Sequence, residues 1–272
     1  VAIFGLPGKA LCDIAPHPEV GISVSVPGEV KTDLVMSDEN VQITVYRTAS
    51  DISAQFHIRN TGAATTTKVG FPEVTAGNGP LSGFKVTIDG EPVSFTSEKL
   101  PAPRPWHSLI PWKVWTMKFA PNQQREILVS YRALNGMENA WNHGMLDLVN
   151  TTFHGDPWAN DQLRGTIYYI LVTGSYWKSP IGRCVVAAHL KDGLSWKDNN
   201  FDALPKPTSL TDREAVWEWR DIEPKQNIEM FYVTCKDIDV IAHLEAIKKA
   251  HPDDVSVQTL LDRYYKRIGK KN

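Results

Sequence analysis

The stretch 167-IYYILVTGSYWKSPIGRCVVAAHL-190 decides how the rest of the chain is read. Two apolar runs, rich in β-branched and aromatic residues, flank a turn of Gly, Ser and Pro, the pattern of two paired strands. Neither run alternates cleanly. Ile167, Tyr169 and Leu171 would point one way while Tyr168, Ile170 and Val172 point the other, and Cys184, Val186, Ala188 and Leu190 oppose Val185 and Ala187. A strand that is apolar on both faces needs cover on both, so the pair is expected in the middle of a sheet.

Upstream of this pair, period-two alternation recurs at Val20 to Val26, at Val41, Ile43 and Val45, and at Thr67, Val69 and Phe71. It is cleanest at Ile52, Ala54, Phe56 and Ile58, with Ser53, Gln55 and His57 on the polar side. Phe84 to Phe95 reads as a hairpin through Asp89-Gly90. Residues 100–112 carry four prolines, which suits a linker or crossing loop better than a central strand. The segments 114–131 and 216–232 share a skeleton of Val-Trp, strand, Pro-x-Gln turn, strand and Tyr, and read as repeated hairpins.

After Cys235 the period becomes helical. Ile238, Ile241, Leu244 and Ile247 form one apolar stripe, Pro252 interrupts, and Val257, Leu260, Leu261, Tyr264, Tyr265 and Ile268 form a second. Two short amphipathic helices need a surface to bury against. The central strands need a cover, so Leu244, Ile247, Leu261 and Tyr265 are expected to dock on the sheet. The fold class is mainly β: two consecutive sandwich-like halves, 13–112 and 113–235, with a short C-terminal α-helical appendage at 236–272.

At 272 residues, 42% hydrophobic and 22% charged, the chain has ordinary globular composition and ample length for a core. A net charge of -2 gives no reason to expect nucleic acid. No apolar run of about 18 residues is present, so no transmembrane segment is expected. The segment 1-VAIFGLPGKALC-12 reads as the end of a secretory signal or as an N-terminal strand, and export to a periplasmic or extracellular location is expected. Cys184 and Cys235 each fall in a predicted strand, which leaves a disulfide between the sheets open. Arg263, Lys266, Arg267, Lys270 and Lys271 crowd the tail and suit a solvated helix end.

None of the common catalytic motifs is present. Three constellations remain. His143, Asp147, His154 and Asp156 combine imidazoles with carboxylates and so suit a divalent metal, although their spacing matches no structural zinc motif. Beyond that metal no cofactor is implied. Trp106, His107, Tyr176 and Trp177 place aromatic rings beside polar groups in proline-containing turns, a composition able to stack on sugars or anchor a protein partner; Trp115 reads as core. Glu214, Glu218, Asp221 and Glu223 offer paired carboxylates of the kind glycoside hydrolysis uses, but a solvated sheet face explains them more simply.

Two segments, Arg59–Val74 (RNTGAATTTKVGFPEV) and Thr173–Val186 (TGSYWKSPIGRCVV), the latter followed by the DIEPKQNI turn, resemble exported bacterial β-sandwich proteins of unknown function. The resemblance implies export and a β fold, and brings no activity or site residues. The function expected is that of an exported non-enzymatic binding or structural protein. A glycan-binding or carbohydrate-active protein is the alternative, and a metal-dependent enzyme at 141–158 comes third.

Overall fold

A computed structural model describes residues 11–12, 15–16, 33–73, 76, 80–101, 109–139, 163–199 and 201–269. Its strands, in chain order, are β1 (Leu11–Cys12), β2 (Ala15–Pro16), β3 (Leu34–Val45), β4 (Ala49–Asn60), β5 (Thr65–Pro72) and β6 (Ser82–Ile88). There follow β7 (Glu91–Pro92), β8 (Thr96–Pro101), β9 (Leu109–Phe119), β10 (Gln124–Leu134), β11 (Gly136–Asn139) and β12 (Leu163–Ile170). The last are β13 (Ile181–Leu190), β14 (Asp202–Leu204), β15 (Ser209–Leu210), β16 (Glu214–Ile222) and β17 (Ile228–Val233), then helices α1 (Asp237–Ala250) and α2 (Val255–Arg267). The mainly β class and the two C-terminal helices are as the sequence predicts.

The strands form three sheets. The largest has eight strands in the order β15-β16-β13-β3-β4-β10-β6-β7; a five-stranded sheet has the path β1-β12-β17-β14 with β11 beside β12; a four-stranded sheet runs β2-β5-β9-β8. Both small sheets cover the same face of the large one. Tyr169 of β12 reaches Glu39 of β3, and Phe71 of β5 packs edge-on against Tyr131 of β10 with centroids 5.2 Å apart. One continuous core joins all three sheets, including Ile43, Phe56, Val129, Val186 and Trp217 from the large sheet, Ile167 and Met230 from the five-stranded one, and Trp115 and Met117 from the four-stranded one.

Several pairings differ from the sequence reading. The runs around 167–172 and 184–190 are not partners. β12 lies in the five-stranded sheet and β13 in the eight-stranded one, joined by a 3-10 turn at Val172–Tyr176. Each is nonetheless internal to its sheet: β13 pairs with β16 on one side and, in parallel, with β3 on the other. The two supposed hairpins are also corners. β9 belongs to the four-stranded sheet and β10 to the eight-stranded one, while β16 and β17 divide between the eight- and five-stranded sheets. The repeated Pro-x-Gln skeleton thus marks two places where the chain passes from one layer to the next. Asp89-Gly90 does close a hairpin, with both residues at positive φ (53° and 84°) as a two-residue turn of this kind requires.

The expected break at 112 falls inside β9, where Pro111 pairs with Lys99 and its carbonyl accepts from Glu73 N–H. A proline is tolerated there because its nitrogen faces the β5 side opposite Glu73, just beyond Pro72 where β5 ends, so no ladder bond needs the missing donor. The eight-stranded sheet moreover draws β3 from the first half and β13 from the second.

The helices do not cover the sheet. Leu244, Ile247, Leu261 and their neighbours bury against one another in a separate core, with Tyr265 half-exposed at its margin. Two amphipathic stripes of similar length satisfy each other, which removes the need for a sheet surface. Asp254 starts α2 by accepting from Ser256 and Val257 N–H, and Pro252 lies in the turn between the helices. Cys184 and Cys235 are both free thiols. Cys184 is sealed in the main core and Cys235 packs against the helical one, so no disulfide joins them.

Candidate functional site

With one face of the eight-stranded sheet packed, the opposite face is left to solvent, and its residues are those that the alternation puts outside. Register aligns them across four strands. One row runs Gln42, Ser53, Ser130, Lys85 over β3, β4, β10 and β6; the next runs Thr44, Asp51, Arg132, Ser82. At about 4.8 Å between strands, each row is about 14 Å long. These side chains floor a shallow open depression of about 450 Å³, within the size range of small-ligand sites.

The floor mixes engaged and free groups. Arg132 Nε lies 3.2 Å from Asp51 Oδ1, and its guanidinium stacks on Tyr46 at 5.1 Å. Gln42 donates to Asn40 Oδ1 and meets His189 Nε2 at 2.7 Å. The side chains of Thr44, Ser53, Ser130 and Lys85 make no hydrogen bond or ion pair among the described residues. Beside the depression the same face is tied by charge. Arg183 bridges Glu218 and Asp38, His57 lies between Asp38 and Glu126, and His189 Nδ1 contacts Glu214 at 3.2 Å. Glu218, paired with Arg183, and Glu214, in contact with His189, are therefore members of a solvated polar face. A second depression, of about 540 Å³, surrounds Gln123 and Arg125, but both are engaged within the fold, by Ala120 N–H and by Asp89 with the Lys118 carbonyl.

A different cluster lies inside. The pairing of β3 with β4 shifts register between Met36 and Asp38, so Leu34 and Met36 face the core before the bulge and Glu39 after it. Glu39 is fully buried. Its carboxyl accepts from Tyr169 O–H at 2.7 Å and lies 3.5 Å from the Cys184 thiol. Burial pushes its pKa up to about 7 against the pull of both hydrogen bonds, with the nearby Asp38 charge adding to the rise. An acid, a phenol and a thiol in contact suggest chemistry, yet Glu39, Tyr169 and Cys184 are all at 0% exposure. No substrate reaches them in this conformation. A second buried network, Ser50–Asn135–Tyr232, ends on the Arg47 carbonyl, and burial raises the Tyr232 phenol to about 12.

The residues singled out from sequence are dispersed. Tyr176 and Trp177 are 7% and 3% exposed: Tyr176 packs with Leu100, Trp112 and Val114, and Trp177 joins the main core. They do not form an exposed aromatic platform, because the 3-10 turn folds both rings inward. Trp115 is core, as expected. Trp106 and His107, and the set His143, Asp147, His154 and Asp156, lie outside the described residues. Among the described residues, no group of three or more His, Cys, Asp and Glu is placed to hold a metal ion, and no helix is long and apolar enough to cross a membrane. The rows of the outer floor were signalled only as the polar half of each alternation, which names a face without naming a site. Glu39 carried a sharper signal, since it shares the inward parity of Val41, Ile43 and Val45.

No protein-family model matches the sequence, and no curated protein matches it. Solved structures do. A proposed nutrient binding protein from Legionella pneumophila superposes with a TM-score of 0.59 at 15% identity, covering 96% of this chain and 85% of that one. This likeness shows the fold. An M1 zinc metallopeptidase from Deinococcus radiodurans (TM-score 0.36, 8% identity, 74% of this chain and 42% of that one) and yeast LTA4 hydrolase (0.38, 11%, 79% and 31%) are too distant to carry any argument.

Proposed function

We propose that the chain is an exported, non-enzymatic binding protein that takes a small polar ligand on the open face of its eight-stranded sheet. The observation that carries this reading is the two-row polar floor. It holds free hydroxyls and a free ammonium in a depression that no other described element covers. Sites of this size gain specificity from a few fixed polar groups, and β3, β4 and β10, each paired on both sides, hold such groups rigidly. The binding role agrees with the description of the Legionella protein that shares the fold. Export is supported by the resemblance of Arg59–Val74 and Thr173–Val186 to exported proteins. The one contact among acid, phenol and thiol is sealed, which favours binding over catalysis.

A thermal-shift screen of metabolites and glycans, run on the wild type and on Ser53→Trp in parallel, tests the reading. Ser53 points outward, and an aromatic residue is well tolerated on a strand. Ligands that stabilise the wild type should fail to stabilise the variant. Ligands that stabilise both equally bind elsewhere, and that result would refute the site.

A further inference from the structure

We infer that the ligand of this face is a sugar acid: a hydroxyl-rich small molecule bearing a carboxylate. The inference rests on the binding site just proposed and adds its chemical class. It follows from how charge is distributed along the two rows. Lys85 and Arg132 are diagonal neighbours, because Lys85 faces Ser130 and Arg132 faces Ser82 across the β10–β6 pair. The cations thus gather over β10 and β6. The one carboxylate of the floor, Asp51, sits on β4 and already pairs with Arg132 through Nε. The floor therefore carries one positive charge in excess, and the unpaired cation is Lys85, which has no ion-pair partner among the described residues. A carboxylate placed there gains a charge-assisted contact without breaking an existing one.

Apart from Lys85 and the Arg132–Asp51 pair, the two rows are neutral. Ser130, Ser53 and Gln42 share the row of Lys85 and reach about 14 Å from it, and Thr44 lies at the far corner of the next row, about 16 Å away; they present free hydroxyls and one amide. Hydroxyl and amide groups in rows match the alternating donors and acceptors of a polyol. A phosphate dianion would meet only one uncompensated cation here, because Arg132 is paired with Asp51, and a wholly apolar ligand would leave every row unsatisfied.

Isothermal titration calorimetry with galacturonate and glucuronate, their methyl esters, and galactose and glucose reads the proposal directly. The uronates should bind at least about tenfold more tightly than the esters and neutral sugars, and salt should weaken them selectively. Lys85→Gln should abolish that preference while leaving thermal unfolding unchanged, since Lys85 is exposed. Neutral sugars binding as tightly as uronates, uronates failing to bind, or a preference that survives Lys85→Gln would each overturn the inference. The first and third of these, if Ser53→Trp still abolishes binding, leave the site itself standing.

Discussion

Replacing Glu39 by Gln should stabilise the protein, and only at the higher pH values. An ordinary glutamate ionises near 4.5, whereas burial holds Glu39 protonated up to about 7. Between these values the unfolded chain releases the proton and the folded chain keeps it. Folded stability therefore falls as pH rises from 4.5 to 7, and the loss is complete above 7. At 1.36 kcal/mol per pKa unit, the full loss is about 3 kcal/mol. Glutamine has the same shape, can accept the Tyr169 hydroxyl, and does not titrate. Urea unfolding of both proteins across pH 5–8 should give nearly equal stabilities at pH 5, with the variant ahead by about 2–3 kcal/mol at pH 8. On a domain of this size that is a rise of about 4–12 °C in Tm. Other titrating groups, including Glu229, which burial also raises, are common to both proteins and cancel in the difference. A gap that does not change with pH, or a variant less stable at pH 8, would show that Glu39 is not a buried neutral acid.

Three further expectations follow from packing. Gly165→Ala would place a methyl group 2.0 Å from Tyr232 Cζ; displacing that ring breaks its bonds to Asn135 and Arg47, so denaturant unfolding should show a loss of about 3 kcal/mol. Trp177→Ala should cost about 3–5 kcal/mol in the same assay as a core cavity, with ligand affinity unchanged in the protein that remains folded, whereas a binding aromatic would lose affinity at little cost in stability. Deleting 237–272 removes a self-contained helical core and the hydrogen bond from Asp237 N–H to the Asp198 carbonyl; calorimetry should show the main transition shifted by about 2–4 °C, the effect of about 1 kcal/mol, and a collapse of the β body would mean that the helices support it.

Local pattern made the strands legible and their pairing illegible. The alternation of Ile52 to Ile58 identified β4 and its buried face residue by residue. The turn at Pro121–Gln123 has the same chemistry whether the chain folds back within a sheet or crosses to another, so β9 and β10 looked like a hairpin. The difference lies in partners far along the chain, such as Val129 with Ala54 and Val69 with Trp115. The helices were identified by period, but a stripe does not name what it packs on, and each proved to be the other's cover. Trp177 beside Ser179-Pro180 looked exposed because turns usually are; a short 3-10 segment buried it. Glu39 was readable by parity, and a carboxylate on an inward position is the kind of departure from pattern that marks a special site.

On this reading ligand meets the open face of the eight-stranded sheet. Amide chemical shifts recorded while titrating a ligand from the screen test it most directly. Perturbations should concentrate at 42–44, 51–53, 82–85 and 130–132, four segments that only this face brings together. Perturbations confined to 102–108 or 140–162, with these four segments unmoved, would contradict the account and move the site to the tryptophan- and histidine-containing stretches.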